Sequence, residues 1–192
     1  MIMQFDNEKI KEFGQNIAQI FGKVAEIGAK SISEYEINCS DLEEKYIYEN
    51  IRDSIKYKDL FDKLKKIENS PCVYYFEILS DIKPDTIVKK INTTDRNRPA
   101  IKDNYPKNSN ILYVGKVKSL FWGRLIMHLG YHTHKNRTLS YAHGLQLYHW
   151  AKELSLKLRV YVFEFEPEMA DLVNVLEFHF AKELNPIIGK HG

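Results

Sequence analysis

At Asn69-Ser70-Pro71 the hydrophobic period of the chain changes from that of helices to that of strands, and any fold must honour this break. Pro71 has no backbone donor and disfavours helix in the residue before it. Upstream, Ile10, Phe13, Ile17, Ile20, Val24 and Ile27 recur in alternating steps of three and four, which predicts a helix over about 6–30 with a narrow apolar seam. Gly14 and Gly22 each cost about 1 kcal/mol inside it, so the seam predicts packing against a neighbour rather than a long coiled coil. Ser40-x-x-Glu43 has capping-box spacing and starts a second predicted helix with Leu42, Ile47, Ile51 and Ile55 on its face. A third, over about 58–67, buries Leu60, Phe61, Leu64 and Ile67.

Downstream, Cys72–Leu79 and Ile111–Val117 are rich in β-branched and aromatic residues and predict two strands that pair as a hairpin. The polar connection Ser80–Asn110 reads as one long loop carrying Pro84, Pro99 and Pro106. Helices are predicted over about 119–129 and 140–154, a central third strand over 157–165, and a last helix over about 168–184. The expectation is an α+β fold in two parts. Residues 1–69 form a helical extension, a candidate for target recognition or for pairing as a homodimer. Residues 70–192 form a small antiparallel or mixed three-stranded sheet flanked by helices.

Hydrophobic residues make up 44% of the chain and charged residues 28%, values that exclude disorder for most of it. No apolar run approaches the roughly 18 residues of a membrane span, and the first residues lack the pattern of a signal peptide. A cytoplasmic protein with no membrane contact is expected. Cys39 and Cys72 lack CxxC spacing and are expected as reduced thiols. Charge is unevenly placed. Residues 1–70 hold 11 Lys and Arg against 14 Asp and Glu, whereas Lys83 to Arg137 holds 12 against 3, for a net +9 that marks the side expected to face a polyanion.

The tripeptides Cys72-Val73-Tyr74 and Tyr113-Val114-Gly115 precede a helix with Arg124 and His128, and a later helix carries Glu177 ahead of Pro186. In order and in element type this pattern resembles the GIY-YIG nucleases over about residues 70–190, with Cys72 standing where the family has glycine. The resemblance implies a divalent-metal-dependent endonuclease that hydrolyses DNA phosphodiester bonds, restriction-like in its long connection. It implies Tyr74, Tyr113, Arg124, His128 and Glu177 as catalytic residues, Glu177 as the ligand of Mg²⁺ or Mn²⁺, and Lys116, His143 and Asn185 as secondary candidates. DNA is then the expected partner, held by Arg96, Arg98, Lys102, Lys116, Lys118 and Arg137. Two rival readings are a structure-specific repair or recombination nuclease and a catalytically silent nucleic-acid-binding module.

The same residues carry chemistry on their own terms. Helical neighbours Val173, Phe180 and Ala181 put Glu177 against an apolar face, where a carboxylate requires either an ion-pair partner such as Arg124 or a bound cation. A single carboxylate suits Mg²⁺, which keeps several waters and takes further ligands from substrate phosphate. Arg124 and His128 are four apart and share a helix face, the first suited to phosphate and developing negative charge, the second to orienting or relaying a proton. The phenols of Tyr74 and Tyr113, with ordinary pKa values near 10, require tuning before either accepts a proton at neutral pH. His132, His134 and His143 lack the partners of a zinc site. Phe121, Trp122 and Tyr131 read either as core or as stacking surfaces for bases.

Overall fold

The computed structural model describes residues 7–94, 98–132 and 144–189. Its centre is a four-stranded antiparallel sheet in the order β1-β4-β2-β3, with β1 Ser31–Asn38, β2 Cys72–Ile78, β3 Ile111–Val117 and β4 Lys157–Glu164. The α+β class and the β2–β3 hairpin match expectation, and the strand over 157–164 is central as expected. The three-stranded, partly mixed sheet does not match. The fourth strand, β1, comes from the region expected to be helical. Its SISEYEIN alternates Glu34 and Glu36 outward with Tyr35 and Ile37 inward, the period-2 signal of a half-buried strand. Its serines and glutamates suit the sheet edge it occupies.

Six α-helices are present among the described residues: α1 Asn7–Ile27, α2 Ile55–Lys65, α3 Pro84–Asn92, α4 Phe121–Leu129, α5 Leu147–Trp150 and α6 Val173–Leu184. The expected capping-box helix is instead a run of short 3-10 turns, Cys39–Asp41, Glu44–Ile47 and Ile51–Asp53, in which Asn38 and Asn50 cap the backbone. Such side chains compete with helical hydrogen bonding, which explains the broken path. The expected loop Ser80–Asn110 contains α3, because Pro84 sits at its first turn, where a missing N–H costs nothing, and Ile87, Val88 and Ile91 are buried beneath it. Beyond Gly144 the helix expected over 140–154 is only the short α5, followed by turns.

The larger core lies on one sheet face and joins Leu42, Ile51 and Leu64 of the N-terminal half to Tyr74, Phe76, Leu125 and Trp150. Each fully buried side chain of this size contributes about 1.5–3 kcal/mol, so the N-terminal half is an integral part of this core. On the opposite face α6 packs Phe180 and Ala181 with Ile111 and Val114, and the end of α1 lays Ile20, Phe21 and Val24 against Phe165, Met169 and Val173. The rest of the α1 seam is open: Ile10, Phe13 and Ile17 are exposed. No described helix is long and apolar enough to cross a membrane.

Both cysteines are free and wholly buried, and burial pushes each thiol up to about 12. At pH 8 the native thiolate fraction is therefore on the order of 10⁻⁴. We expect iodoacetamide to leave the native chain unlabelled at pH 8 and to label both cysteines in urea. Fast native labelling of either would contradict its place in the core.

Candidate functional site

Gly115 organises the site. Paired across the hairpin with Tyr74 and two residues from Tyr113, it lies beneath both rings. A Cβ built on it would sit 2.6 Å from Tyr113 Cε1 and 2.6 Å from Tyr74 Oη, closer than atoms tolerate. Only glycine lets the two phenols converge over β3.

Behind the phenols stands α4. It begins at Leu120, a non-glycine residue in the left-handed region (φ 56°) whose N–H is held by the Glu68 carbonyl at 2.6 Å. That turn buries Phe121 and aims Arg124 and His128, one helical turn apart, at Tyr74. Arg124 Nε donates to Tyr74 Oη at 3.3 Å, and its positive charge stands close enough to Tyr113 to oppose the rise of that phenol's pKa. His128 Nε2 lies 2.9 Å from Tyr74 Oη. Its other nitrogen, Nδ1, accepts the backbone N–H of Leu145 at 3.1 Å. A neutral imidazole that accepts at Nδ1 carries its proton at Nε2, so His128 donates to Tyr74.

The segment that locks this tautomer is clamped onto α4. Gln146 Nε2 donates to the Met127 carbonyl at 3.1 Å, and Trp150 Nε1 donates to the Leu145 carbonyl at 2.7 Å. Gly144, with φ 101°, passes so close to His128 that a Cβ there would meet its N and Nδ1 at 3.2 Å. Leu145, Gly144 and Trp150 were not singled out from the sequence; Gly144 directly after His143 was the available signal.

Burial shapes the titration of the group. His128 is held well below the ordinary imidazole value of 6.5, first by burial and then by the Arg124 charge. Tyr74, wholly enclosed, is raised above the usual 10 by burial, with Arg124 pulling the other way. Tyr113 is raised for the same reason, with the same opposing pull from Arg124. Both phenols therefore rest protonated at neutral pH. His128 rests neutral, and with both ring nitrogens engaged it orients Tyr74.

In front of the phenols is a cleft of about 280 Å³ lined by Tyr113, Leu145, Glu177, Ile188, Gly189 and the Pro99–Ala100 turn. Because α6 packs across Val114 on the other face of the edge strand β3, Glu177 arrives at that edge with its side chain mostly buried. Its Oε2 lies 3.9 Å from Lys116 Nζ. Tyr74, Tyr113, Arg124, His128, Lys116 and Glu177 thus share one neighbourhood. Among the described residues no three His, Cys, Asp or Glu side chains gather into a ligand cluster. One carboxylate opening on a cleft fits a hard, water-rich cation such as Mg²⁺ better than a zinc cage.

Other candidates fall elsewhere. Asn185 is exposed and ends α6 in the left-handed region (φ 45°), its N–H on the Ala181 carbonyl; it is a helix cap away from the cleft lining. Lys118 pairs with Asp171. Arg98 donates to the Asn92 carbonyl, and Lys102 lines a neighbouring cavity. Phe121 and Tyr131 are core, whereas Trp122 is half-buried with Arg52 over its ring at 4.4 Å. His134, His143, Arg96 and Arg137 lie outside the described residues.

Comparison with family models, with curated proteins and with solved structures finds no match to this chain. The functional reading therefore rests on the residues themselves.

The depressed pKa of His128 makes stability depend on pH. Folding favours the neutral ring, so its contribution is complete above the unfolded value of 6.5 and is lost as pH falls from there toward the folded value. We expect urea denaturation of the wild type to lose up to about 1.4 kcal/mol per pH unit below pH 6.5 through this one proton. His128→Phe should lack that share. Identical acid slopes for the two chains would contradict a buried neutral His128.

Proposed function

We propose that the chain is a divalent-metal-dependent endonuclease of the GIY-YIG type that hydrolyses DNA phosphodiester bonds. The observation that carries the reading is the convergence of Tyr74, Tyr113, Arg124, His128 and Glu177 around Gly115, beside an open cleft. These residues come from β2, β3, α4 and α6. Tyr113 and Glu177 line the opening, and Tyr74 and Arg124 stand directly behind Tyr113.

Roles follow from access. Arg124, already oriented by Tyr74, is placed to stabilise the negative charge that builds on phosphorus during displacement. Of the two phenols, Tyr113 lines the cleft; resting protonated, it is placed to orient the attacking water by a hydrogen bond, and it would take a proton from that water only after a cation at Glu177 had lowered its pKa and its own proton had left to solvent. Tyr74 is enclosed, and His128 and Arg124 fix its oxygen; its work is to hold Arg124 in place. Glu177 would hold Mg²⁺ or Mn²⁺, and when bound the ion supplies positive charge to the phosphate oxygens. The exposed Ile10, Phe13 and Ile17 support α1 as the surface for a second copy.

The Lys116–Glu177 contact favours one alternative, a silent DNA-binding module in which the lysine, with no metal ion, neutralises the carboxylate. Single-turnover cleavage with Mg²⁺, set beside DNA binding in metal-free buffer, separates the two. Glu177→Gln should bind DNA within a few-fold of wild type and cut none. Arg124→Lys should cut at least about 10²-fold more slowly, since a point ammonium cannot serve both a phenol and a phosphate. A Glu177→Gln protein that cuts at the wild-type rate contradicts the metal role.

A further inference from the structure

Beyond the Pro99–Ala100 turn lies a second cavity, of about 390 Å³, into which Asn92, Arg98, Lys102 and Tyr105 project. Pro99 and Ala100 line both spaces, so the two adjoin. The wall between them is tied to the catalytic strand. Ile188 pairs with Tyr113 on one side and with Ile101 on the other, and Gly189 N–H reaches the Ala100 carbonyl at 3.4 Å. Lys102 is thus one residue from a ladder that begins at a cleft tyrosine, and its place relative to the cleft is set by backbone pairing.

Among the described residues the cavity lining holds two cations, Arg98 and Lys102, against one carboxylate, the exposed Asp103, and no salt bridge joins Asp103 to either. Lys102 is half-buried, and burial holds its ammonium below the ordinary 10.5. Other lysines of the same basic segment are neutralised locally: Lys107 by Asp85, Lys90 by Glu153 and Lys118 by Asp171. Arg98 is anchored through Nη1 to the carbonyl of Asn92 at the carboxyl end of α3, which leaves the rest of its planar fork for another acceptor. A desolvated ammonium and a braced guanidinium at one opening match a phosphate oxygen in charge and donor geometry.

We propose that this cavity is a subsite for the phosphate next to the scissile one on the same DNA strand, bound by Lys102 and Arg98. The assignment rests on the reading of the adjoining cleft as a phosphodiesterase site. It makes the substrate at least one nucleotide longer than the bond that is cut, and it sets the direction in which the strand crosses Pro99–Ala100.

A coupling cycle tests it. A DNA duplex whose cut has been mapped with Mg²⁺ is made with a single neutral methylphosphonate at the phosphate on either side of the scissile one. Affinity is then measured with metal-free, full-length wild type, Lys102→Gln and Arg98→Gln. Each substitution should weaken binding of the all-phosphate duplex roughly tenfold, as expected for losing one charge-assisted contact. One of the two methylphosphonates should weaken wild type by a similar factor and add nothing further to Lys102→Gln, because both changes remove the same contact. Losses that multiply at both positions, for both variants, overturn the subsite and leave the nuclease reading standing. A wild-type chain that binds no DNA, or binds and never cuts, overturns the reading and the subsite together.

Discussion

The hydroxyl of Tyr74, sealed from water and receiving hydrogen bonds from both His128 and Arg124, is the interaction on which the rest of the site depends. Each donor is oriented from behind. Leu145 N–H occupies Nδ1 of His128 and so forces the proton to the far nitrogen, while α4 sets Arg124 one turn away. In a closed interior an unsatisfied polar group costs about 1–3 kcal/mol, so the three side chains specify one another's positions. Gly115 makes the arrangement feasible, because any side chain there would separate the phenols. Arg124 is thereby held in one orientation behind the cleft tyrosine, the preorganisation that charge stabilisation in a reaction requires.

Much of this was legible before the structure, and the reasons differ by residue. Tyr74, Tyr113 and Arg124 stood out through the resemblance of their tripeptides and helix to the GIY-YIG pattern, and strand alternation and i to i+4 spacing on a helix added only which residues share a face. Glu177 was legible as a carboxylate on an apolar face, but its neighbour was not. Lys116 belongs to β3, and only the packing of α6 over Val114 sets the two side by side. Strand β1 was missed although SISEYEIN alternates, because the helical seam before it drew residues 1–69 into one helical region. Helix α3 was missed because Pro84 was weighed as a breaker, whereas in the first turn of a helix it is a starter. Gln146 and Leu145 act through backbone groups or long-range contacts, which no residue spacing encodes.

Segment charge was a coarser guide. The net +9 from Lys83 to Arg137 overstates what faces a ligand, since Lys90, Lys107, Lys116 and Lys118 each stand beside a carboxylate in the fold. Exposed pairs of this kind contribute little to stability, about 0–1 kcal/mol each, but they remove those cations from the field a polyanion meets. Among the described residues, Arg98 and Lys102, with Asp103 beside them, line the cavity on the side where Pro99 and Ala100 form the rim.

The hydrogen-bonded phenol and the placement of charge both support the proposed hydrolysis of a nucleic-acid backbone at the β3 edge. The most direct measurement is incubation of supercoiled plasmid with the full chain, in Mg²⁺ and in EDTA, with binding followed in parallel. The account expects nicked and linear DNA with Mg²⁺ and intact plasmid in EDTA. Plasmid that is bound yet stays supercoiled at every Mg²⁺ and Mn²⁺ concentration would contradict it and leave a binding module in its place.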